Sequence, residues 1–343
     1  MHNEQSHTAP GEYPQISVVI PVFQSSATLG ELHRRLTATL TELVDSHEIV
    51  FVDDRSTDQS WPNLVRLARR DPRVVACRLS RNFGQHLAIT AGLRECSGQH
   101  VVVMDCDLQD PPEAIPSLWA AAQEGFPIVL AKRKANYHSR YRTLANRAYF
   151  RLLAWLTGQH IDGELGSFSM ISRPVVDEFL RFREYERHYL FILYWLGFDS
   201  RTIEYERHTR GVGKSSYSFG KLLTHALQGV FFQTTVFLRL VMYGGFLVSL
   251  FGLLVAAVIM LERFRGSLLP GWTSLIVLQL LMSGLTITAV GTVGLYVARI
   301  FEQVKQRPLY VIEERVRIAG TFEHAGLQSA HVGFERTRYD GVG

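Results

Sequence analysis

Over its first 130 residues the chain alternates short apolar runs rich in β-branched residues with longer stretches of helical periodicity. The runs are Ile16–Ile20, Ile49–Val52, Val74–Arg78, Val101–Met104 and Ile128–Ala131; the helical stretches include Leu29–Leu43, Trp61–Arg70 and His86–Glu95. This order predicts an α/β domain with a mostly parallel sheet covered by helices on both faces. In such sheets ligands gather at the carboxyl ends of the strands. Pro21-Val22-Phe23 follows the first run, Asp53-Asp54-Arg55-Ser56-Thr57-Asp58 the second, Ser80 to Gln85 the third and Asp105-Cys106-Asp107 the fourth. One such loop would mean little. Four delivered to one edge predict a ligand site.

Asp53, Asp54, Asp105 and Asp107 would meet at that edge, where converging carboxylates repel and raise one another's pKa. A cation among them removes the conflict. Carboxylate oxygens suit Mg²⁺ or Mn²⁺, and Mg²⁺ is commonly held by one or two carboxylates plus substrate phosphates. An Asp-x-Asp alone is more often a polar turn, but this one ends a strand and is echoed by Val52-Asp53-Asp54. The sequence carries neither a P-loop nor a Rossmann glycine fingerprint, which argues against a P-loop kinase or an NAD enzyme. A net charge of +4 over 343 residues does not by itself argue for nucleic acid. Cys77, Cys96 and Cys106 share no CxxC spacing, so neither a disulfide framework nor a zinc site is expected.

Farther on, the composition changes. Leu240 to Leu261 is 22 residues without a charge, roughly 33 Å as a helix and enough to cross a bilayer. Gly266 to Ala298 is a second charge-free stretch. Two buried helices of a soluble domain would be the alternative, but such helices rarely stay uncharged for so long. Two transmembrane helices are expected, at 236–262 and 271–298. Lys214, Lys221 and Arg239 precede them and Arg299, Lys305, Arg307, Arg315 and Arg317 follow, while the link holds only Arg263 and Arg265. The positive-inside rule then puts both termini, the 14–213 domain and the 299–343 tail in the cytoplasm, making this an integral protein of the inner membrane. Phe219, Leu222, Leu223, Ala226, Leu227, Val230 and Phe231 share one helical face, so 214–234 is expected to be an amphipathic juxtamembrane helix. Residues 1–13 read as a loose polar tail. Gly245 and Ser249, Gly252 and Ala256, and Gly284 and Thr288 give small-xxx-small spacing, which suits packing within the hairpin or between copies in a homo-oligomer.

The segments ISVVIPVFQSSATL, IVFVDDRSTDQSW, RLSRNFGQHLAITAGL and VVVMDCDLQDPPE resemble, in that order, the motifs of family 2 glycosyltransferases with a GT-A fold. The resemblance covers about residues 14 to 315, including VKQRPLYVIEE, and is strongest to polyprenyl-phosphate glycosyltransferases of the dolichyl-phosphate mannose synthase and bacterial undecaprenyl-phosphate glucosyltransferase type. It implies that Pro21, Val22, Asp53 and Asp54 hold the nucleotide of a nucleotide-diphosphate sugar, with Asn82 and Gln85 also at the donor. It implies that Asp105, Asp107 and Gln109 hold Mg²⁺ or Mn²⁺ and the diphosphate, and that Arg133 contacts phosphate. RGVGKSSYS resembles a family loop, which implicates Arg210, Lys214 and Ser215. One position departs from the pattern: Ser167, in Gly166-Ser167-Phe168-Ser169-Met170, stands where many relatives carry an aspartate sometimes assigned as a base. A phosphate monoester with a second pKa of about 6 is already dianionic at neutral pH and needs little deprotonation.

Lys132 to Arg151 carries seven basic residues, no acidic one and several interleaved aromatics. Such a segment suits an anionic membrane surface or a lipid phosphate, with Arg133, Arg140 and Arg147 as the contacts, better than nucleic acid, a solvated helix face being the other reading. The expected reaction is transfer of a sugar to a polyprenyl phosphate with inversion, Asp107, Arg210, Lys214 and Ser167 forming the catalytic set. A processive polysaccharide synthase would show a QxxRW-like motif and more spans; Trp195 sits instead in Leu193-Tyr194-Trp195-Leu196-Gly197. A non-catalytic membrane scaffold would be expected to have lost its acidic ligands.

Overall fold

The computed structural model describes residues 13–133, 165–184, 187–205, part of 241–261 and 272–318. The tail 1–13 (save Tyr13), the juxtamembrane helix 214–234, and Arg140, Arg147, Arg210, Lys214 and Ser215 lie outside the described residues, as does much of the first expected span. The chain forms two compact units, Met1–Thr143 with Asp162–Lys214 and Pro308–Gly343, and Leu144–Ile161 with Ser215–Arg307.

The first unit is built on strands β1 (Ile16–Val22), β2 (His47–Asp53), β3 (Val74–Leu79), β4 (His100–Val103), β5 (Ile128–Arg133), β6 (Leu165–Ser172), β7 (Ser200–Tyr205) and β8 (Ile312–Val316). Its helices are α1 (Leu29–Leu43), α2 (Ser60–Ala68), α3 (Gln85–Glu95), α4 (Ile115–Gln123), α5 (Arg173–Arg181) and α6 (Tyr189–Leu196). Strand order across the sheet is β7-β5-β6-β4-β1-β2-β3-β8. The β4-β1-β2-β3 block is parallel, as the alternation predicted. The sheet as a whole is mixed, because β6 runs antiparallel between β4 and β5, and β8 runs antiparallel along β3.

Side-chain alternation along the strands explains the layers. Val18, Ile20, Val22, Ile49 and Phe51 pack with Leu29, Leu32, Leu36 and Leu40 of α1, Leu64 of α2 and Leu118 of α4. Val19, Val50, Val52, Val101 and Val103 pack on the other face with Ala88 and Ile89 of α3, Phe179 of α5 and Leu193 of α6. Gly92 of α3 makes one of these contacts possible: a Cβ there would lie 2.3 Å from Val19 Cγ1. The central strands, buried on both faces, are therefore continuous apolar runs rather than alternating ones.

Strand β8 was expected only as part of a tail. It is instead an edge strand of the sheet, tied down by its charges: Glu313 pairs with Arg55, Glu314 accepts from Trp61 Nε1 at 3.2 Å, and Arg315 Nη2 lies 2.5 Å from Glu95.

In the second unit, helix α7 (Trp272–Val304) runs 33 residues, about 50 Å. Leu275, Ile287, Val290, Leu295, Ile300 and Val304 are exposed along it. The hydroxyls of Thr286, Thr288 and Thr292 bond back to the carbonyls four residues earlier, which satisfies them without a partner helix. Among the described residues, no helix is long and apolar enough to cross a membrane, so the two expected spans rest on the sequence.

Candidate active site

The direction of the strands decides which residues can meet. Strands β1 to β5 and β7 end at one edge of the sheet, and the reversed β6 begins there. That edge collects the loops after β1, β2, β3 and β4, together with Arg133 at the end of β5, Tyr205 at the end of β7, and Gly166 and Ser167 at the start of β6. Gln24, Arg55 and Leu108 adopt positive φ angles of 50°, 62° and 61°, and all three lie in these loops. Non-glycine residues rarely sit there unless the surrounding structure holds them, and such positions cluster at functional sites.

The loops are sewn to one another. Gln24 N–H donates to Ser56 Oγ at 3.0 Å, Ser25 N–H to Ser60 Oγ at 3.0 Å and Ser26 N–H to Asp58 Oδ2 at 3.1 Å. Thr28 Oγ1 donates to the Cys106 carbonyl at 2.8 Å, which joins the β1 and β4 loops. Asp54 is a clamp: its two carboxylate oxygens accept the Phe83 and Gly84 N–H groups at 2.7 and 2.8 Å, which fixes the loop after β3. Burial pushes its pKa up nonetheless. Asp53 is fully buried, accepts from Ser56 N–H at 3.2 Å, and has Arg78 Nε 3.4 Å away in an ion pair not aligned for a hydrogen bond. Burial raises its pKa as well. Pro21 and Val22 are buried in the sheet, and the Val22 carbonyl accepts the Asp54 N–H at 2.8 Å. Of the first loop it is Phe23, 46% exposed, that faces outward.

Asp105 is at the centre. Its Oδ1 accepts from Gln85 Nε2 and from Ser167 Oγ, both at 2.8 Å. It keeps some surface exposure yet is densely surrounded. Burial first, then the neighbouring Asp110 and Asp107, push its pKa up to about 6, against the opposing effects of Ser167 and Arg133. Asp107 Oδ1 accepts the Gln109 N–H at 3.1 Å, and Gln109 itself is buried. Ser167, expected among the catalytic residues, is thus joined to the acidic pair. The structure brings Asp105, Gln85 and Ser167 into contact, and uses Asp53 and Asp54 to hold the loops after β2 and β3. Asn82 lies in the loop that Asp54 clamps.

Two residues without an assigned role in the sequence complete the edge. Asp110 is fully buried and accepts a hydrogen bond from Tyr205 Oη. Arg133 Nε donates to Tyr205 Oη at 3.2 Å, and Arg133 Nη2 lies 3.8 Å from Asp110 Oδ1. Burial opposes the charge on Arg133, but Asp110 and Tyr205 outweigh it and raise its pKa. The only sequence signal for Asp110 was its place as a third aspartate in the same loop. Its partners stand 95 and 23 residues away in the chain, and no local pattern reports them.

Among the described residues no three His, Cys, Asp or Glu side chains are grouped so as to hold a metal unaided. The donor set fits a divalent cation bound by Asp105 and Asp107 and completed by phosphate oxygens. A positive charge beside Asp105 would oppose the burial, and the repulsion from Asp110 and Asp107, that raise its pKa.

The profile of glycosyl transferase family 2 matches residues 17–180. An uncharacterised glycosyltransferase of Bacillus subtilis (strain 168), YkcC, is 36% identical over 304 residues, 88% of this chain and 94% of that one. The SfII prophage-derived bactoprenol glucosyl transferase of Shigella flexneri is 32% identical, with 88% and 99% covered. The undecaprenyl-phosphate 4-deoxy-4-formamido-L-arabinose transferase of Proteus mirabilis (strain HI4320) is 32% identical, with 89% and 94% covered. With a mixed α/β sheet whose strand ends carry the motifs in order, and with relatives matched over nearly their whole length, the chain belongs to glycosyltransferase family 2.

Proposed function

We propose that the protein transfers a sugar from a nucleotide-diphosphate donor to a polyprenyl phosphate, undecaprenyl phosphate being the acceptor expected, at the cytoplasmic face of the inner membrane. The observation that carries the donor side is the pairing at one sheet edge of Asp105, linked to Gln85 and Ser167, with Arg133 beside Asp110. The acceptor side is supported by relatives named for bactoprenol and undecaprenyl phosphate, matched along most of the chain. It is further supported by two charge-free stretches of spanning length and by the basic run Lys132 to Arg151. The membrane reading gives the exposed apolar side chains of α7 a partner in lipid.

In this reading the nucleotide lies over the loops after β1, β2 and β3, whose shape Asp53 and Asp54 fix. Asp105 and Asp107 would hold Mg²⁺ or Mn²⁺, which when bound would supply Lewis-acid stabilisation of the leaving diphosphate. Arg133 offers a fixed positive charge to phosphate. Ser167 and Gln85 keep the Asp105 carboxylate oriented. The acceptor phosphate, largely dianionic at neutral pH, attacks the anomeric carbon with its own lone pair, and the nucleoside diphosphate leaves from the opposite side, inverting that centre. No residue has to take a proton, which agrees with a serine at position 167. Arg210 and Lys214 are proposed to close over the diphosphate.

The test is a screen of purified full-length protein with undecaprenyl phosphate against a panel of nucleotide sugars, reading lipid-linked product. Product from one donor, lost when the lipid phosphate is replaced by the free alcohol, is expected. Donor turnover with no lipid-linked product under any pairing overturns the acceptor assignment.

A further inference from the structure

We propose that Asp110 and Tyr205 are positioning residues that fix the Arg133 guanidinium over the diphosphate site; this deepens the donor reading above and rests on it.

An arginine at the end of a strand has several rotatable bonds and loses much rotamer freedom when it is held in one place. Here four segments do the holding. Arg133 ends β5, and its Nε donates to Tyr205 Oη, at the end of β7, at 3.2 Å. Tyr205 in turn donates to Asp110, in the loop after β4, which also stands 3.8 Å from Arg133 Nη2. Under the guanidinium lies Gly166 of β6, where a Cβ would come within 2.9 Å of Arg133 Nη2. The Tyr205 ring is itself set edge-on to Phe168, with centroids 5.3 Å apart at 86°. Tyr205 therefore cannot turn its hydroxyl elsewhere without losing a packed contact.

The chemistry of the pair fits positioning better than contact with a substrate. Asp110 is wholly buried. A carboxylate in that place is costly unless compensated, and the tyrosine and the arginine contribute to its compensation. Yet it cannot cancel Arg133 as a phosphate ligand: at 3.8 Å it guides the guanidinium without forming a two-pronged hydrogen-bonded pair that would occupy the fork. The tyrosine takes Nε, the inner donor. A pre-aimed cation loses little freedom when phosphate arrives, the condition under which electrostatic stabilisation is most effective.

The test uses the purified full chain. UDP, GDP, CDP and dTDP, each with Mg²⁺, are titrated against the unmodified protein. The tightest binder becomes the probe, and its parent nucleoside the control. Tyr205→Phe, which keeps the ring, is expected to weaken the diphosphate about tenfold and to leave the nucleoside unchanged, with the melting temperature of the free protein preserved. In an Arg133→Gln background, Tyr205→Phe should cost nothing more, because it acts through the arginine. Asp110→Asn is the second probe and should follow the same pattern; should it fail to fold, Tyr205→Phe decides alone. Unchanged diphosphate affinity in Tyr205→Phe, equal loss of nucleoside and diphosphate, or an undiminished effect in the Arg133→Gln background each overturns the inference. If no nucleoside diphosphate binds the unmodified protein, the donor reading fails and this inference with it.

Discussion

Ser167 is the position where the sequence and the chemistry meet most directly. Its hydroxyl donates to Asp105 Oδ1 at 2.8 Å, and Gln85 Nε2 donates to the same oxygen at the same distance. A hydrogen bond to a charged group contributes about 1.5–3 kcal/mol. Removing it in Ser167→Ala would, if felt wholly in the transition state, slow transfer roughly ten- to a hundred-and-fifty-fold. Two features pull the expected value to the low end. Gln85 still holds the oxygen, and the partly exposed Asp105 can take a water in place of the hydroxyl. We therefore expect about ten- to thirtyfold, or about 1.4–2 kcal/mol. Because each single variant leaves one donor in place, Ser167→Ala with Gln85→Ala should cost more than the two single losses together. The assay is the initial rate of sugar transfer to undecaprenyl phosphate, repeated across a Mg²⁺ titration. A loosened Asp105 should raise the metal concentration needed for half-maximal rate. A several-thousandfold loss in Ser167→Ala with nucleotide binding intact would mean the hydroxyl takes part in the chemistry itself, and the positional account of this residue would be wrong.

Three further outcomes are expected. Asp107→Asn should cost at least about a hundredfold in rate, in line with loss of a charge-stabilising group, and EDTA should silence the unmodified protein; full activity after exhaustive chelation would rule out the metal. Burial holds His86 and His188 down to about 4 and about 3, with His86 adding to the effect on His188. Both stay neutral in the folded chain while the unfolded chain takes up protons below about 6.5, so stability is complete above that pH and falls as pH drops toward 4 by up to about 1.4 kcal/mol per pH unit for each group. Melting temperatures from pH 7 to 4.5 should decline accordingly, less steeply in His188→Phe, and a flat profile would contradict the burial argument. Cysteines placed at Ser267 or Leu269 should react with an impermeant thiol reagent outside cells while one at Gly326 should not. The native Cys77, Cys96 and Cys106 are buried, with thiols pushed up to about 12, 12 and 11, which keeps the background low, and the reverse pattern would invert the topology.

What could be read in the sequence was what local periodicity records. The stretch Leu29–Leu43 is a helix with those same ends, because Leu29, Leu32, Leu36 and Leu40 form one buried stripe. The first five strands were visible as apolar runs between turn residues. Strands β6, β7 and β8 were not. Ser200–Tyr205 lies at one sheet edge with most of its side chains exposed, and Ile312–Val316 holds three charges in five residues. Neither shows an apolar signal, since what holds β8 is pairing with Arg55, Trp61 and Glu95, more than two hundred residues earlier. The site divided in the same way. Asp105, Gln85 and Ser167 carried motif signals, whereas the Asp110–Tyr205–Arg133 network depends on three strands or loops meeting in space.

The reversal of β6 explains why one short segment serves both halves of the site. Had the chain after β5 returned by a crossover and added a parallel strand, the end of that strand would face the site and its beginning would lie at the far edge. Running antiparallel between β4 and β5, β6 instead brings its first residues to the catalytic edge. Two consecutive residues then face two charges of opposite sign. Ser167 donates to Asp105, on the acidic side, and Gly166 lies beneath Arg133, on the basic side. Neighbouring residues of one strand thus touch both the acidic and the basic group. In the function proposed above, a diphosphate lies between a cation-binding carboxylate and this guanidinium, and both groups need fixed places. Of the two antiparallel strands in the sheet, β6 is the one that touches both groups, because its reversed direction starts it at the edge where β4 and β5 end.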